Sequence, residues 1–226
     1  MFERIAPRYD LANALLSGGL DYWWRGRAGR VVRSWKPNLI LDVATGSGVL
    51  AAALRRACPG ALVVGADFCE PLLRAAASRR LGGLVQADAL RLPFADGTFD
   101  AVTVAFGLRN MVSWAGALRE MRRVLKPGGH VLVLDFSLPH GWWRGLYLVY
   151  LKRCLPWIAG AVSGERAAYE YLAESISRFP RGQAMLELLE ASGYTEANAT
   201  TLTGGIVSLY TAATASTLAT PSSRRH

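Results

Sequence analysis

Apolar residues along this chain follow two periods, and the periods take turns. The run Leu39-Ile40-Leu41-Asp42-Val43 is apolar on both faces, as in a strand buried between two layers, and carries an acid near its end. Gly46 and Gly48 form the turn that follows, and Leu50, Leu54 and Ala57 then recur at helical spacing. Further strands are expected at Ala61 to Asp67, Leu84 to Asp88, Phe99 to Ala105 and His130 to Phe136. Pro71 opens a helix over Leu72 to Arg80. Ser113 caps another, whose apolar face is Leu118, Met121, Val124 and Leu125 and which Lys126-Pro127-Gly128-Gly129 stops. Strands separated by helices and short loops predict an α/β fold, a parallel sheet with helices on both faces and right-handed crossovers.

The two ends depart from this rhythm. Phe2, Ile5, Tyr9 and Leu16 are roughly helically spaced, and Asp21 is placed to cap a second helix reaching Val32. Residues 1–35 therefore read as a helical pair, or as a lid over whatever the sheet binds. After strand five, residues 140–162 are apolar and aromatic, but Arg144, Lys152, Arg153 and Pro156 interrupt them, which argues against a membrane span. This segment begins an insert of about 139–180, read either as plain packing or as a wall for a lipophilic substrate. Helices are expected at Tyr169 to Phe179 and Gln183 to Ser192. Tyr194 to Leu202 and Ile206 to Ala212 then form a hairpin across Thr203-Gly204-Gly205, making the last of seven strands antiparallel. Residues 1–213 read as one domain, and 214–226, rich in Ser, Thr and Ala, as a disordered tail.

Composition narrows the class. At 51% hydrophobic and 19% charged, the chain has the profile of a globular domain. The net charge of +9 comes mostly from arginines scattered along the sequence, with no basic run interleaved with aromatics, so no nucleic-acid partner is expected. Cys58, Cys69 and Cys154 form no C-x-x-C pair, and His130, His140 and His226 do not cluster, so neither a disulfide framework nor a metal site is expected. No charged-then-apolar leader opens the chain, which reads as cytoplasmic.

The chemistry is concentrated at one rim. Ligands of open α/β sheets sit at the carboxyl ends of the strands. Asp42, Asp67, Asp88 and the loop Phe106-Gly107-Leu108-Arg109-Asn110 all fall there. Gly46-x-Gly48-x-x-Ala51 opens a helix whose free N–H groups suit an anionic group, and it loosely satisfies a dinucleotide fingerprint. Asp67 fits that reading equally well. Asp42 upstream of the glycines instead resembles motif I of the class I methyltransferases that use S-adenosylmethionine.

Other stretches carry a closer resemblance. Ala6-Pro7-Arg8-Tyr9-Asp10, Ala89-Leu90-Arg91-Leu92-Pro93-Phe94, the 106–110 loop, Tyr169-Glu170-Tyr171-Leu172-Ala173-Glu174-Ser175-Ile176 and Leu202-Thr203-Gly204-Gly205-Ile206-Val207 together resemble the menaquinone and ubiquinone biosynthesis C-methyltransferases. The likeness covers residues 2 to about 211 and leans toward the demethylmenaquinone branch. It implies the class I S-adenosylmethionine-dependent (Rossmann-like) fold, with S-adenosyl-L-methionine methylating a ring carbon of a polyprenylated quinol at the inner face of the cytoplasmic membrane. A peripheral, transient contact with the membrane surface goes with that substrate, and a homodimer is compatible with it.

The resemblance also implies site roles. Asp42, Gly46, Ser47 and Gly48 form the cofactor cradle, Ser47 standing where the family often has threonine. Asp67 holds the ribose, and Asp88 with Ala89 bounds the adenine. Ala105 stands where serine is frequent, a missing hydrogen bond of about 1 kcal/mol. Cys69 likewise replaces a common serine. Arg109 and Asn110 polarise the quinol oxygen and Tyr9 positions it, unless Arg109 merely pairs with an acid such as Asp10 or Glu174. Three other readings stay open: a benzoquinol C-methyltransferase, a small-molecule O- or N-methyltransferase, and a non-catalytic cofactor-binding partner.

Overall fold

The structure is a computed structural model that describes residues 17, 19–139, 141, 143–150 and 166–216. Tyr9, Asp10, the first expected helix, most of the 140–162 segment and the tail beyond 216 lie outside the described residues.

Seven strands form one sheet: β1 (Leu39–Val43), β2 (Leu62–Asp67), β3 (Gly83–Gln86), β4 (Phe99–Ala105), β5 (Leu125–Phe136), β6 (Thr195–Leu202) and β7 (Val207–Ala213). Their order across the sheet is β3-β2-β1-β4-β5-β7-β6. The first five pair in parallel, and β7 runs antiparallel to both β5 and β6. Helices α1 (Leu20–Ser34), α2 (Val49–Ala57), α3 (Glu70–Ala76), α4 (Trp114–Val124), α5 (Trp143–Val149), α6 (Arg166–Arg178) and α7 (Gln183–Ala191) complete the described elements.

Alternation along the central strands decides what each layer buries. On β5, Val131 and Val133 enter one core with Leu118 and Met121 of α4 and Leu189 of α7. Leu132 and Leu134 point to the other face, against Val32 of α1 and Leu50 and Leu54 of α2. Side chains two apart share a face, so a strand apolar throughout must be covered twice. Trp24 ties α1 down: its indole N–H donates to the Thr203 hydroxyl at 2.7 Å, and its ring meets Phe106 and Phe136.

Five local expectations are corrected. Asp21 does not cap α1. The helix begins at Leu20 with Gly19 at its cap position, two residues earlier, and Asp21 lies in its first turn, accepting the Ser17 hydroxyl at 3.3 Å. Pro71 is the second residue of α3, after Glu70, and the helix tightens into a 3-10 turn at Ala77–Arg79. Strand three stops at Gln86, because Asp88 turns the chain by accepting the Leu90 N–H at 2.9 Å. Lys126-Pro127-Gly128-Gly129 does not separate helix from strand; it is a bulge inside β5. Phe99 pairs with Leu125 while Ala101 pairs with His130, and Gly128 takes φ +74° to absorb the extra residues. The hairpin turn is longer than the glycine pair, with Thr203, Gly204 and Gly205 all at positive φ. The Ser113 cap is present, its hydroxyl accepting the Gly116 N–H at 3.1 Å.

The order reverses between β1 and β4, which opens a crevice at their carboxyl ends. Gly65 on β2 sits opposite Asp42 on β1 and lets the loop after β1 lie against the sheet. A Cβ there would stand 2.9 Å from Thr45 Cγ2 and 3.0 Å from Leu84 Cδ2. Thr45 cannot retreat, since its hydroxyl is bonded to Asp42. Gly65→Ala should therefore cost about 1–3 kcal/mol of overpacking, read as a lower urea midpoint at unchanged m-value.

Candidate active site

The site is built on the buried carboxylate of Asp42. Its Oδ2 accepts the Thr45 hydroxyl and its Oδ1 the Thr103 hydroxyl, each at 2.7 Å, joining the loop to β4 through β1. The Thr45 N–H donates to the Ala66 carbonyl at 3.0 Å, and the Gly46 N–H to Asp67 Oδ2 at 2.7 Å. Asp67 Oδ1 accepts the Cys69 N–H at 2.8 Å, so this carboxylate also sets the turn into α3. Arg79 closes the far side, its Nε donating to the Ser47 carbonyl at 2.6 Å.

Two glycines shape the wall here, one by its backbone angle and one by a close approach. Gly46 has φ +58° and empty space where a Cβ would be, so its backbone faces the cavity bare. Gly107 would place a Cβ 2.5 Å from the Ala44 Cβ, so only glycine lets the loop after β4 come this close. The resulting cavity has a volume of about 640 Å³, suited to a ligand of nucleotide size.

Gly46, Ser47, Asp67, Asp88, Ala89, Ala105 and Asn110 all line this cavity. Asp42 and Gly48 do not. Asp42 lies beneath the loop and acts through Thr45, and Gly48, at φ +80°, is the residue on which α2 begins. Arg109 faces elsewhere, on a smaller cavity of about 300 Å³ shared with Trp114, Tyr171 and Glu174. Asn110, Met111 and Val112 line both spaces.

Among the described residues the acidic partner of Arg109 is Asp135; of the two anticipated acids, Asp10 lies outside the described residues. The Arg109 Nη1 donates to Asp135 Oδ1 at 2.7 Å and to the Phe106 carbonyl at 2.5 Å. Glu174 pairs with Arg178 instead. Asp135 was hidden from sequence reasoning inside an apolar strand, where it is wholly buried. The Arg109 Nε and the Asn110 Oδ1 are both buried without a hydrogen-bond partner among the described residues. Thr45, Thr103 and Arg25 also escaped sequence reasoning. Thr45 lay in plain view inside the glycine loop, whereas Thr103 and Arg25 reach the site only through the sheet and through α1.

Burial controls the ionisation of the acids. Asp42 is pushed up to about 6, mainly by desolvation, against the pull of the Thr103 and Thr45 hydroxyls and the Arg25 charge. Burial likewise raises Asp67, opposed by the amides of Cys69, Gly46 and Phe68, and raises Asp135, opposed by Arg109.

A sheet of this order, with an acid-held glycine loop after β1 and an acid after β2, is the fold of the class I S-adenosylmethionine-dependent methyltransferases. The chain belongs to the ubiE/COQ5 methyltransferase family, which it matches over residues 1–214. It is 50% identical to a demethylmenaquinone methyltransferase of Thermus thermophilus, covering 86% of this chain and 91% of that protein. A demethylmenaquinone methyltransferase of Mycolicibacterium gilvum is 46% identical, with 94% and 92% covered. Among solved structures, a SAM-dependent methyltransferase of Thermotoga maritima, described as a possible histamine N-methyltransferase, superposes with a TM-score of 0.67 at 17% identity, over 94% of this chain and 97% of that one. At that identity the likeness speaks for the fold.

The Asp42 shift has a measurable consequence. Its folded pKa lies above the ordinary value of 3.8, so the folded state holds the proton more tightly than the unfolded chain. This group's contribution to stability therefore falls as pH rises from 3.8 to about 6, by on the order of 3 kcal/mol, and is level above that window. Asp42→Asn should remove that slope. Urea unfolding of both proteins from pH 4 to 7 should give a difference curve that falls through this window, and a flat curve would contradict the assignment.

Proposed function

We propose that this chain transfers the methyl group of S-adenosyl-L-methionine to a ring carbon of demethylmenaquinol, giving menaquinol. The observation that carries the reading is the junction at Asn110, where the two cavities meet and a buried donor and a buried acceptor stand without partners among the described residues. Buried polar groups are almost always satisfied, so such a pair marks a place for a ligand. A quinol hydroxyl fits it, donating to Asn110 Oδ1 and accepting from Arg109 Nε. The names of these two relatives agree with this substrate.

The larger cavity suits the cofactor, which supplies an electrophilic methyl group when bound. Asp67 and Asp88 offer carboxylates for the ribose and the adenine edge, and Gly46 a bare backbone. Asp67 already accepts the Gly46 and Cys69 amides, and the Phe68 amide also favours its charge. A carboxylate has about four lone-pair sites, so capacity remains for a ribose hydroxyl. Ala105 on the wall offers no hydroxyl, which leaves that contact to van der Waals packing.

A ring carbon becomes nucleophilic when the neighbouring hydroxyl ionises. A phenol of pKa about 10 must fall about three units to ionise near neutrality, roughly 4 kcal/mol of anion stabilisation. A guanidinium is a poor base, so the hydroxyl proton leaves to water, and the ring carbon gives up its own proton to water once the methyl group is in place. The role of Arg109 is to hold a fixed positive charge beside the oxygen, and Asp135 fixes that charge in place. The pair is buried on both sides, and the guanidinium also lies 5.2 Å over the Phe106-side neighbour, the Phe136 ring. Preorganised donors in a dry site supply energies of this order.

The test is methyl transfer from labelled donor to short-chain demethylmenaquinol, with a matched benzoquinol as the competing acceptor. Label should enter the naphthoquinol ring in preference. Asn110→Ala should lower turnover by about 10²- to 10³-fold, the usual cost of one such donor or acceptor, with donor affinity kept within a few-fold. Near-normal turnover in a folded variant would contradict the role.

A prenylated substrate also needs a route from the bilayer. No helix among the described residues is long and apolar enough to cross a membrane. Leu146 and Val149 on α5, 65% and 50% exposed, support a peripheral contact at the cytoplasmic face of the membrane instead. Leu146→Ser combined with Val149→Ser should weaken binding to anionic vesicles and slow turnover of a long-tailed quinol, while turnover of a tail-less quinol changes little. Equal loss on both substrates would reject the contact.

A further inference from the structure

Arg25 has no assigned role, and its surroundings are unusual for a buried cation. It lies on α1, is only 8% exposed, and lines the larger cavity. Every other charged residue on that wall is acidic, namely Asp67 and Asp88. Its Nε is buried without a hydrogen-bond partner among the described residues. The nearest carboxylate oxygen, Asp21 Oδ2 one turn earlier, is 3.8 Å away, within ion-pair range but beyond a hydrogen bond. The guanidinium stands 5.2 Å over the Phe106 ring, which fixes its place. Its charge is felt at Asp42, beneath the glycine loop.

Resting on the cofactor reading above, we propose that Arg25 binds the carboxylate of the methionine arm of the cofactor. The sheet sets the distance. Phe106 follows β4 and Asp88 follows β3, with β2 and β1 between them. Three strand spacings of about 4.8 Å separate the two ends of the rim, on the order of 14 Å, comparable to an extended adenosyl amino acid. The acids at the β2 and β3 end suit hydroxyls, an amino edge and cationic groups. The ligand's one anionic group needs a cation, and among the described residues of this wall Arg25 alone provides one. A guanidinium fork matches a carboxylate with two parallel hydrogen bonds, and a donor already desolvated loses little further hydration on forming them. The contact also draws α1 against the cradle, coupling the helix that carries Trp24 to cofactor occupancy.

The experiment compares two ligands that differ only in this carboxylate: S-adenosylhomocysteine and its decarboxylated form, 5′-deoxy-5′-(3-aminopropylthio)adenosine. Affinities come from titration calorimetry and need no turnover. The wild-type chain should prefer the carboxylate-bearing ligand by about 10- to 100-fold, the range of a charge-assisted pair. In Arg25→Met that preference should collapse to within about threefold, with affinity for the decarboxylated ligand nearly unchanged. Arg25→Gln, which keeps a polar head over Phe106, should do the same and serves if the methionine variant does not fold. A preference that survives in either folded variant overturns the inference, as does an equal loss for both ligands, which would mean that Arg25 only supports the fold. A wild-type chain that binds neither ligand overturns the cofactor reading, and the inference with it.

Discussion

Everything at this site hangs from one carboxylate that has no business being ionised. Asp42 is wholly enclosed at the centre of the sheet, where a charge is costly unless hydrogen bonds satisfy it. Two threonine hydroxyls do so, one from the loop and one from the neighbouring strand. They make the loop's position a property of the sheet rather than of the loop. Thr45 could otherwise swing into solvent, Gly46 would lose its alignment with Asp67, and the approach of Gly107 to Ala44 would have nothing fixed to approach. Ala44 itself sits at φ +51°, a conformation uncommon outside glycine, and the surrounding bonds hold it there.

A second buried acid repeats the device one residue before the end of β5. Asp135 takes the Arg109 guanidinium and also accepts the Phe136 N–H at 2.8 Å. Removing either member of such a pair leaves an uncompensated buried charge, which typically costs about 3–5 kcal/mol. The pair therefore fixes the 108–110 turn to β5, and with it the place of Asn110 between the two cavities. The two devices differ in what they leave over. Asp42 is satisfied on both oxygens, so its output is geometry alone. Among the described residues Arg109 keeps one buried donor unpaired and Asn110 one buried acceptor, and a polar group of a ligand would satisfy both.

Much of this was legible in the residues, for reasons that also mark its limits. Strands buried on both faces declare themselves by continuous apolar runs, so β1, β2 and β4 stand where the pattern put them. The rim acids were visible because an acid closing an apolar run is conspicuous. Local spacing could not show that Arg109 meets Asp135, twenty-six residues on, because that contact is made by register between β4 and β5. The bulge in β5 was unreadable for a similar reason. Lys-Pro-Gly-Gly is ordinary punctuation in a chain, and only the pairing of Phe99 with Leu125 makes it part of a strand. Asp88 ended its run convincingly, yet its side chain bonds the backbone two residues on and turns the chain before the ladder reaches it.

The same contrast explains why Arg25 stayed out of sight. In sequence it is the i+4 partner of Asp21, one of many arginines in a basic chain, and an exposed pair of that kind contributes little. What changes its meaning is burial against Phe106, whose own φ of +57° turns the ring under α1 rather than along β4. That turn follows from Gly107, which must be glycine to clear Ala44, and Ala44 is held by the loop that Asp42 anchors. The position of the only cation on the cavity wall among the described residues is thus set, through four contacts, by the acid at the sheet's centre. A change at Asp42 should consequently be felt at both ends of the cavity, at Asp67 through Gly46 and at Arg25 through Phe106, although Asp42 touches no ligand.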